Sequence, residues 1–167
     1  MKGADPVADD IPTVLRARLV VSYQACALSD LARGAVPIAG DGDGALLAEA
    51  AGILAAARHL LEAAVVHERL AGAGWDAIGA ALGLSPRAAR VRFALAEAAL
   101  HDQLRRPEAP DTPRAPQLPS YVLQEPLEAA ADLDDWVLRH ADGDETPGTA
   151  PVSGALSRTP CQPGASG

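Results

Sequence analysis

An all-α fold is the clearest prediction from this sequence, and two observations support it. Apolar residues recur at helical spacing over long stretches of residues 12–105. Much of the 49% hydrophobic content is alanine and only 3% of the residues are aromatic, which indicates closely packed helices with few bulky side chains. For a chain of 167 residues we expect one compact helical domain over residues 11–106, after a disordered N-terminus over residues 1–10.

The first predicted helix runs from Pro12 to Arg33 and ends at Gly34. Its apolar residues cover a wide arc, so most of its surface is expected to be buried. The most apolar stretch, residues 14–28, is too short to cross a bilayer and contains arginine. The N-terminal residues contain no apolar leader segment, so we expect a cytoplasmic protein without membrane contact.

A second, longer helix is predicted over residues 44–72, with Asp41 or Asp43 as its N-cap. Apolar doublets recur in it seven residues apart, at positions 46/47, 53/54 and 60/61, with alanines between them. Such a heptad-like seam allows two helices to approach closely. The seam over residues 46–61 either packs against the first helix of the same chain or forms a homodimer, and the sequence leaves both open.

Residues 75–93 predict two short helices joined by a tight turn, a helix-turn-helix. Gly83 ends the first helix, Ser85 is a suitable N-cap, and Pro86 stands at the first position of the second helix. Gly79 has no side chain, which would allow the two helices to cross closely. Trp75 is expected to pack the pair onto the long helix. The apolar face of the first short helix comprises Ala77, Ile78, Ala81 and Leu82.

The second helix of this pair has one buried and one exposed face. The buried face comprises Ala89, Phe93, Ala96 and Leu100, at about 100° per residue. Arginines near the start of an exposed second helix can reach guanine edges or phosphates in the major groove. The candidate DNA-binding residues are therefore Ser85, Arg87, Arg90, Val91, Arg92 and Arg105.

The segments WDAIGAALGLS at residues 75–85 and RAARVRF at residues 87–93 resemble the helix-turn-helix of sigma-factor region four. They resemble still more closely small helix-turn-helix proteins of high-GC bacteria. This resemblance implies a transcriptional regulator that reads the major groove of double-stranded DNA with residues 85–92. Because helix-turn-helix folds also bind proteins, the alternative is a protein-interaction module on the same scaffold without DNA binding.

The distribution of charge along the chain favours DNA binding, whereas the net charge does not. The net charge of −8 by itself argues against a nucleic-acid partner. Residues 1–70 carry 6 basic and 9 acidic groups, and residues 107–167 carry 3 basic and 10 acidic groups. Residues 71–106 carry 5 basic and 3 acidic groups, so the one positive segment contains the predicted helix-turn-helix.

The C-terminal third is predicted to be a proline-rich linker over residues 107–125, an acidic amphipathic helix over 126–141 and a disordered tail over 142–167. A lone amphipathic helix of this length requires a surface to dock on. It could cover apolar surface on the two N-terminal helices. It could instead lie against the arginine face, where it would compete with DNA. Its apolar stripe comprises Leu133, Trp136 and Val137, beside Asp132, Asp134 and Asp135.

Signatures of catalysis, cofactors and metals are not found in the sequence. Neither a nucleophile elbow nor a P-loop or dinucleotide fingerprint occurs, so we expect no enzyme and no cofactor. The GDGDG run at residues 40–44 lacks the later oxygen ligands of a calcium loop, and the four histidines lack zinc-site spacing. Cys26 is expected to be a buried free thiol, and a disulfide framework with Cys161 is not expected.

Overall fold

Seven helices and no strand make up the part of the chain that the computed structural model describes, residues 11–36, 44–105, 120–144 and 146–157. The predicted all-α fold is confirmed for these residues. The predictions for residues 1–10, for Asp41 and Asp43, for the proline-rich stretch up to residue 119 and for Cys161 lie outside the described residues. The helices are α1 Thr13–Gly34, α2 Ala45–Leu70, α3 Trp75–Leu82, α4 Pro86–Arg105, α5 Ser120–Gln124, α6 Pro126–His140 and α7 Ser153–Leu156.

Helix α1 is the central helix, because it is buried on two sides. On one side, α1 packs on α2 and α4, and alanines on α1 and α2 let these helices approach closely. On the other side, α1 packs on α5 and α6. The first cluster comprises Ala17, Val20, Ala63, Val66, Leu100, Leu104 and Leu123. The second cluster comprises Leu19, Val122, Ala129, Ala130 and Leu133.

The leucines in the first half of α2 do not take part in this core. Leu46, Leu47 and Leu54 are 65%, 76% and 52% exposed. The interpretation that the doublets pack on α1 within the chain is therefore wrong for these three leucines. The buried residues of α2 are two alanines and two valines, Ala56, Ala63, Val65 and Val66. Leu61 and Leu70 are partly buried and pack against the apolar clusters of the core. A homodimer through residues 46–61 stays a prediction.

The C-terminal third has more regular structure than the sequence predicted. Helix α6 spans Pro126–His140 with Pro126 at its first turn, which confirms the predicted amphipathic helix. The linker assigned to residues 107–125 is wrong at its end, where α5 forms. The disordered tail assigned to residues 142–167 is likewise wrong for α7. Both short helices contact α6, and such packing stabilises helices that are too short to form alone.

Helix α6 docks on α1 rather than on α4. Its main contacts are with α1, α5 and α7, and its Leu133 is 5% exposed in the second cluster. The indole nitrogen of Trp136 donates a hydrogen bond of 3.0 Å to Asp30 of α1. The hypothesis that this acidic helix covers the arginines of α4 is therefore wrong. The alternative, in which it covers apolar surface of the N-terminal helices, describes its position on α1.

By length and composition alone, α2 could also cross a membrane, since its most apolar window has a mean hydropathy of 1.2. One such helix is a weak indication, because core helices of soluble proteins meet the same test. The expected absence of membrane contact stays a prediction.

Candidate nucleic-acid interface

Helices α3 and α4 are joined by a three-residue turn at residues 83–85, and together they form what we call the α3–α4 unit. Gly83 adopts the left-handed conformation with φ of +67°, which glycine adopts without steric cost. The amide of Leu84 donates a bond of 2.8 Å to the carbonyl of Gly79 and closes the end of α3. The hydroxyl of Ser85 accepts a bond of 3.2 Å from the amide of Ala88, so Ser85 is the predicted N-cap of α4.

The close crossing of the two helices depends on Gly79. A Cβ atom at this position would lie 2.6 Å from the carbonyl oxygen of Leu84 and 3.2 Å from the backbone nitrogen of Pro86. Both neighbours are backbone atoms of the turn, so they cannot move aside without distorting it. The predicted role of Gly79 is therefore confirmed.

An apolar cluster fixes the α3–α4 unit to the second half of α2. Phe93 is its largest buried side chain, and it is 2% exposed. Trp75, as predicted, packs the unit onto the long helix. Because α2 is itself packed on α1, the orientation of α4 is set by the core of the whole domain. The cluster comprises Val65, Ile78, Ala89 and Phe93, with Leu61, Ala73, Trp75, Leu82 and Leu84 packed against it.

Arg69, near the end of α2, adds a polar connection among three helices. Its Nε donates a bond of 3.0 Å to Glu97 of α4, and its Nη1 donates one of 2.6 Å to the carbonyl of Ala73. Its guanidinium carbon lies 4.7 Å from the ring centroid of Trp75, within the range of a cation–π contact. Sequence reasoning missed Arg69, because an arginine in the last turn of a helix is common and reveals nothing about its partners.

The outward face of α4 carries the predicted arginines. Arg87 and Arg90 are exposed, and Val91 beside them is 75% exposed. Arg92 is also exposed, with its guanidinium carbon 5.2 Å from the ring centroid of Phe93. Residues 77–96 contain three arginines and no acidic residue, so this face is locally positive in an acidic chain.

Two of the predicted site residues, Ser85 and Arg105, differ from the others, the first by its hydrogen bond and the second by its position. Ser85 is exposed, but its hydroxyl already accepts the capping bond, so a DNA contact would have to share that oxygen. Arg105 ends α4 and lies about 27 Å along the helix axis from Arg87, at 1.5 Å per residue. The structure therefore brings together Ser85, Arg87, Arg90, Val91 and Arg92, and leaves Arg105 at the far end of the helix.

Comparison with protein-family models, curated proteins and solved structures gives no match for this chain. The resemblance to sigma-factor region four therefore stays a prediction.

Proposed function

We propose that the chain is a DNA-binding transcriptional regulator that inserts the first turns of α4 into the major groove of double-stranded DNA. The main support is the outward face of α4, where Arg87 and Arg90 are exposed on a helix whose opposite face is anchored in the core. Arginine side chains at this position of a second helix have the reach and donor geometry for guanine edges.

The surroundings of these arginines support the same proposal. Residues 77–96 contain three arginines and no aspartate or glutamate, so this stretch of the sequence has a net positive charge. The positive end of a helix dipole, at the N-terminus of α4, also favours phosphate. The exposed side chain of Val91 is of the apolar kind that packs against the methyl group of thymine in the major groove.

The experiment has two steps, both on the full-length chain. Selection from a pool of random DNA duplexes gives the preferred site, and gel-shift titration then gives the affinity. Arg87→Ala and Arg90→Ala are each expected to lose about 1–3 kcal/mol of specific affinity. Arg92→Ala should weaken binding to all sequences to a similar extent and lower its salt dependence, as expected for a phosphate contact.

Arg33→Ala is the matched control, because Arg33 is an exposed arginine on α1 and outside the α3–α4 unit. It should bind DNA like the wild type. Wild-type affinity in both the Arg87 and the Arg90 variant would contradict DNA reading by α4.

A protein-interaction module is the second candidate, and one observation favours it. Leu95 is 84% exposed one helical turn after Val91, which extends the outward face of α4 as an apolar strip beyond the arginines. Exposed apolar strips on helices are common protein contacts. Selection of no duplex, together with a partner whose binding is lost in Leu95→Glu, would favour this candidate over the DNA-binding one.

A homodimer would supply the affinity that one short helix lacks. DNA-binding helix pairs commonly act as dimers on half-sites about 34 Å apart. The exposed Leu46, Leu47 and Leu54 support a seam on α2. Sedimentation at micromolar concentration should show a dimer that Leu54→Glu weakens and Arg58→Glu, at an exposed polar position of α2, does not. A strict monomer that still binds a single half-site would refute this arrangement.

A further inference from the structure

A partly enclosed cleft of about 440 Å³ lies between α1, α6 and α7, on the side of α1 opposite to the first cluster. Its volume falls within the range of about 300–1,000 Å³ that small-molecule sites occupy. Helix α1 supplies the floor, with side chains at helical spacing, and α6 and α7 supply the walls. The apolar lining includes Leu15, Leu19, Leu133, Val137, Val152 and Leu156.

One side chain of the lining carries a charge, and that charge is positive. Arg18 lies at the rim, where its Nη1 donates a bond of 2.9 Å to the hydroxyl of Ser22. Among the described residues, no carboxylate lies within salt-bridge distance of this guanidinium. Burial raises the pKa of the Cys26 thiol, and the nearby Asp30 carboxylate raises it further, so this lining group is neutral near neutral pH. An apolar cleft with one cationic rim group fits an apolar molecule with one anionic head.

Hydrogen bonds between α6 and the start of α7 hold these two helices together beside the cleft. The carboxylate of Asp134, which is 7% exposed on α6, accepts bonds from the backbone amides of Val152 at 2.6 Å and Ser153 at 3.2 Å. It also accepts a bond from the hydroxyl of Ser153. These bonds fix the start of α7, whose Ala155 and Leu156 face the cleft. The buried carboxylate of Asp134 therefore fixes α7 against α6, and Asp134 is not itself among the residues that line the cleft.

We propose that this cleft binds a small amphipathic carboxylate, with its apolar body between α1, α6 and α7 and its carboxylate on the guanidinium of Arg18. Fatty acids with flexible acyl chains and aromatic acids both have this combination of an apolar body and one carboxylate. The site lies on a different part of the fold from the outward face of α4, so the proposal does not depend on DNA binding.

Isothermal titration of the full-length chain with decanoate, naphthoate and decanol tests this. Decanoate or naphthoate should bind, and the acid that binds more tightly identifies an acyl or an aromatic ligand. Arg18→Gln should weaken binding of the acids by about tenfold or more, as expected for one charge-assisted pair, and leave decanol unchanged. Arg33→Gln is the control, because Arg33 is an exposed arginine of the same helix outside the cleft.

Cys26 gives a second readout, because its thiol lines the cleft. In a Cys161→Ser background, decanoate should slow alkylation of Cys26 by N-ethylmaleimide. Arg18→Gln should remove this protection at the same decanoate concentration and leave the rate without decanoate unchanged. Ala25→Trp, at an exposed position of the lining, should fill the mouth and reduce binding of all three compounds, while circular dichroism confirms the fold.

Three results would overturn the proposal. The first is no binding of either acid to the wild-type chain. The second is equal affinity of wild type and Arg18→Gln for the acids, which would remove the carboxylate contact. The third is binding only after deletion of residues 158–167, which would assign the cleft to the chain's own terminus.

Discussion

The α3–α4 unit and the C-terminal assembly of α5, α6 and α7 differ in how far along the chain their defining contacts reach. In the α3–α4 unit, the turn is built by Gly79, Gly83, Ser85 and Pro86, which contact one another within a few residues. In the C-terminal assembly, Asp134 accepts bonds from residues 18 and 19 positions away, and Trp136 bonds a residue 106 positions away. Local rules therefore describe the first region well and the second poorly.

The two regions also present their functional groups differently. The α3–α4 unit directs its arginines outward, on a helix whose inner face is anchored. In the C-terminal assembly, side chains of α6 and α7 line a partly enclosed cleft against α1. The first arrangement suits a large charged surface such as a duplex, and the second suits a small molecule. Each region can be tested by changes that affect it and leave the other intact.

The largest expected effect is in the α3–α4 unit. Phe93→Ala removes a side chain that is 2% exposed and leaves a cavity between α2, α3 and α4. Such substitutions cost about 3–5 kcal/mol of unfolding free energy. Chemical denaturation followed by circular dichroism measures the loss. Leu95→Ala, on the same helix but 84% exposed, should change stability by less than about 0.5 kcal/mol. Equal losses in the two variants would contradict the assigned faces of α4.

A somewhat smaller loss is expected in the C-terminal assembly. Leu133→Ala removes a leucine that is 5% exposed between α1 and α6, at a cost of about 2–5 kcal/mol. Because α6 docks on α1, the folded variant should bind DNA with wild-type affinity. A changed DNA affinity in the folded variant would contradict the position of α6 on α1, away from the arginines of α4. Leu138→Ala, at 46% exposure on the same helix, is the control and should cost less.

Two helical glycines give the next test, because the same substitution should have opposite signs. Gly79→Ala places a Cβ atom 2.6 Å from the Leu84 carbonyl and should destabilise by about 1–3 kcal/mol through overpacking. Gly52→Ala in α2 meets nothing within 4 Å and should stabilise by up to about 1 kcal/mol through helix propensity. Denaturant titration of both variants measures the difference. Destabilisation in both would show that the Gly79 effect does not come from the crossing with the turn.

The same contrast explains what the sequence could predict. The bounds of α1, α3, α4 and α6 followed from caps, breakers and apolar spacing, and so did the exposure of Arg87 and Arg90. The cleft could not be predicted. Its α1 side chains are visible as a helical stripe, but α7 lies in a segment rich in glycine, proline and serine. The start of α7 is fixed by Asp134, which accepts bonds from the backbone amides of Val152 and Ser153, and no local pattern reports such a contact. Whether the leucines of α2 pack within the chain or stay exposed was left open by the sequence, because apolar spacing does not say which neighbour is present.

The smallest expected effect concerns Tyr121 at the start of the C-terminal assembly. Its hydroxyl donates a bond of 2.8 Å to the carboxylate of Asp132 on α6. Burial, together with this bond and the charge of Asp132, raises its pKa from 10.0 to about 12. The raised pKa favours the neutral phenol in the folded chain. Its contribution to stability is therefore complete below the unfolded-state pKa of 10.0 and is lost as the pH rises through about 12.

Tyr121→Phe should cost less than about 1 kcal/mol near neutral pH, because the bond is exposed to solvent. The informative measurement is denaturation at several pH values between the ordinary pKa of 10.0 and about 12, the window set by the shift. Wild-type stability should fall more steeply there than that of the variant, because the variant has no phenol to ionise. The chain contains two tyrosines, so in the variant the tyrosinate absorbance reports Tyr23 alone. Burial raises the pKa of Tyr23 as well, so its titration should stay above the ordinary value. Parallel stability curves for wild type and variant would show that the bond between Tyr121 and Asp132 does not hold α5 on α6 in solution.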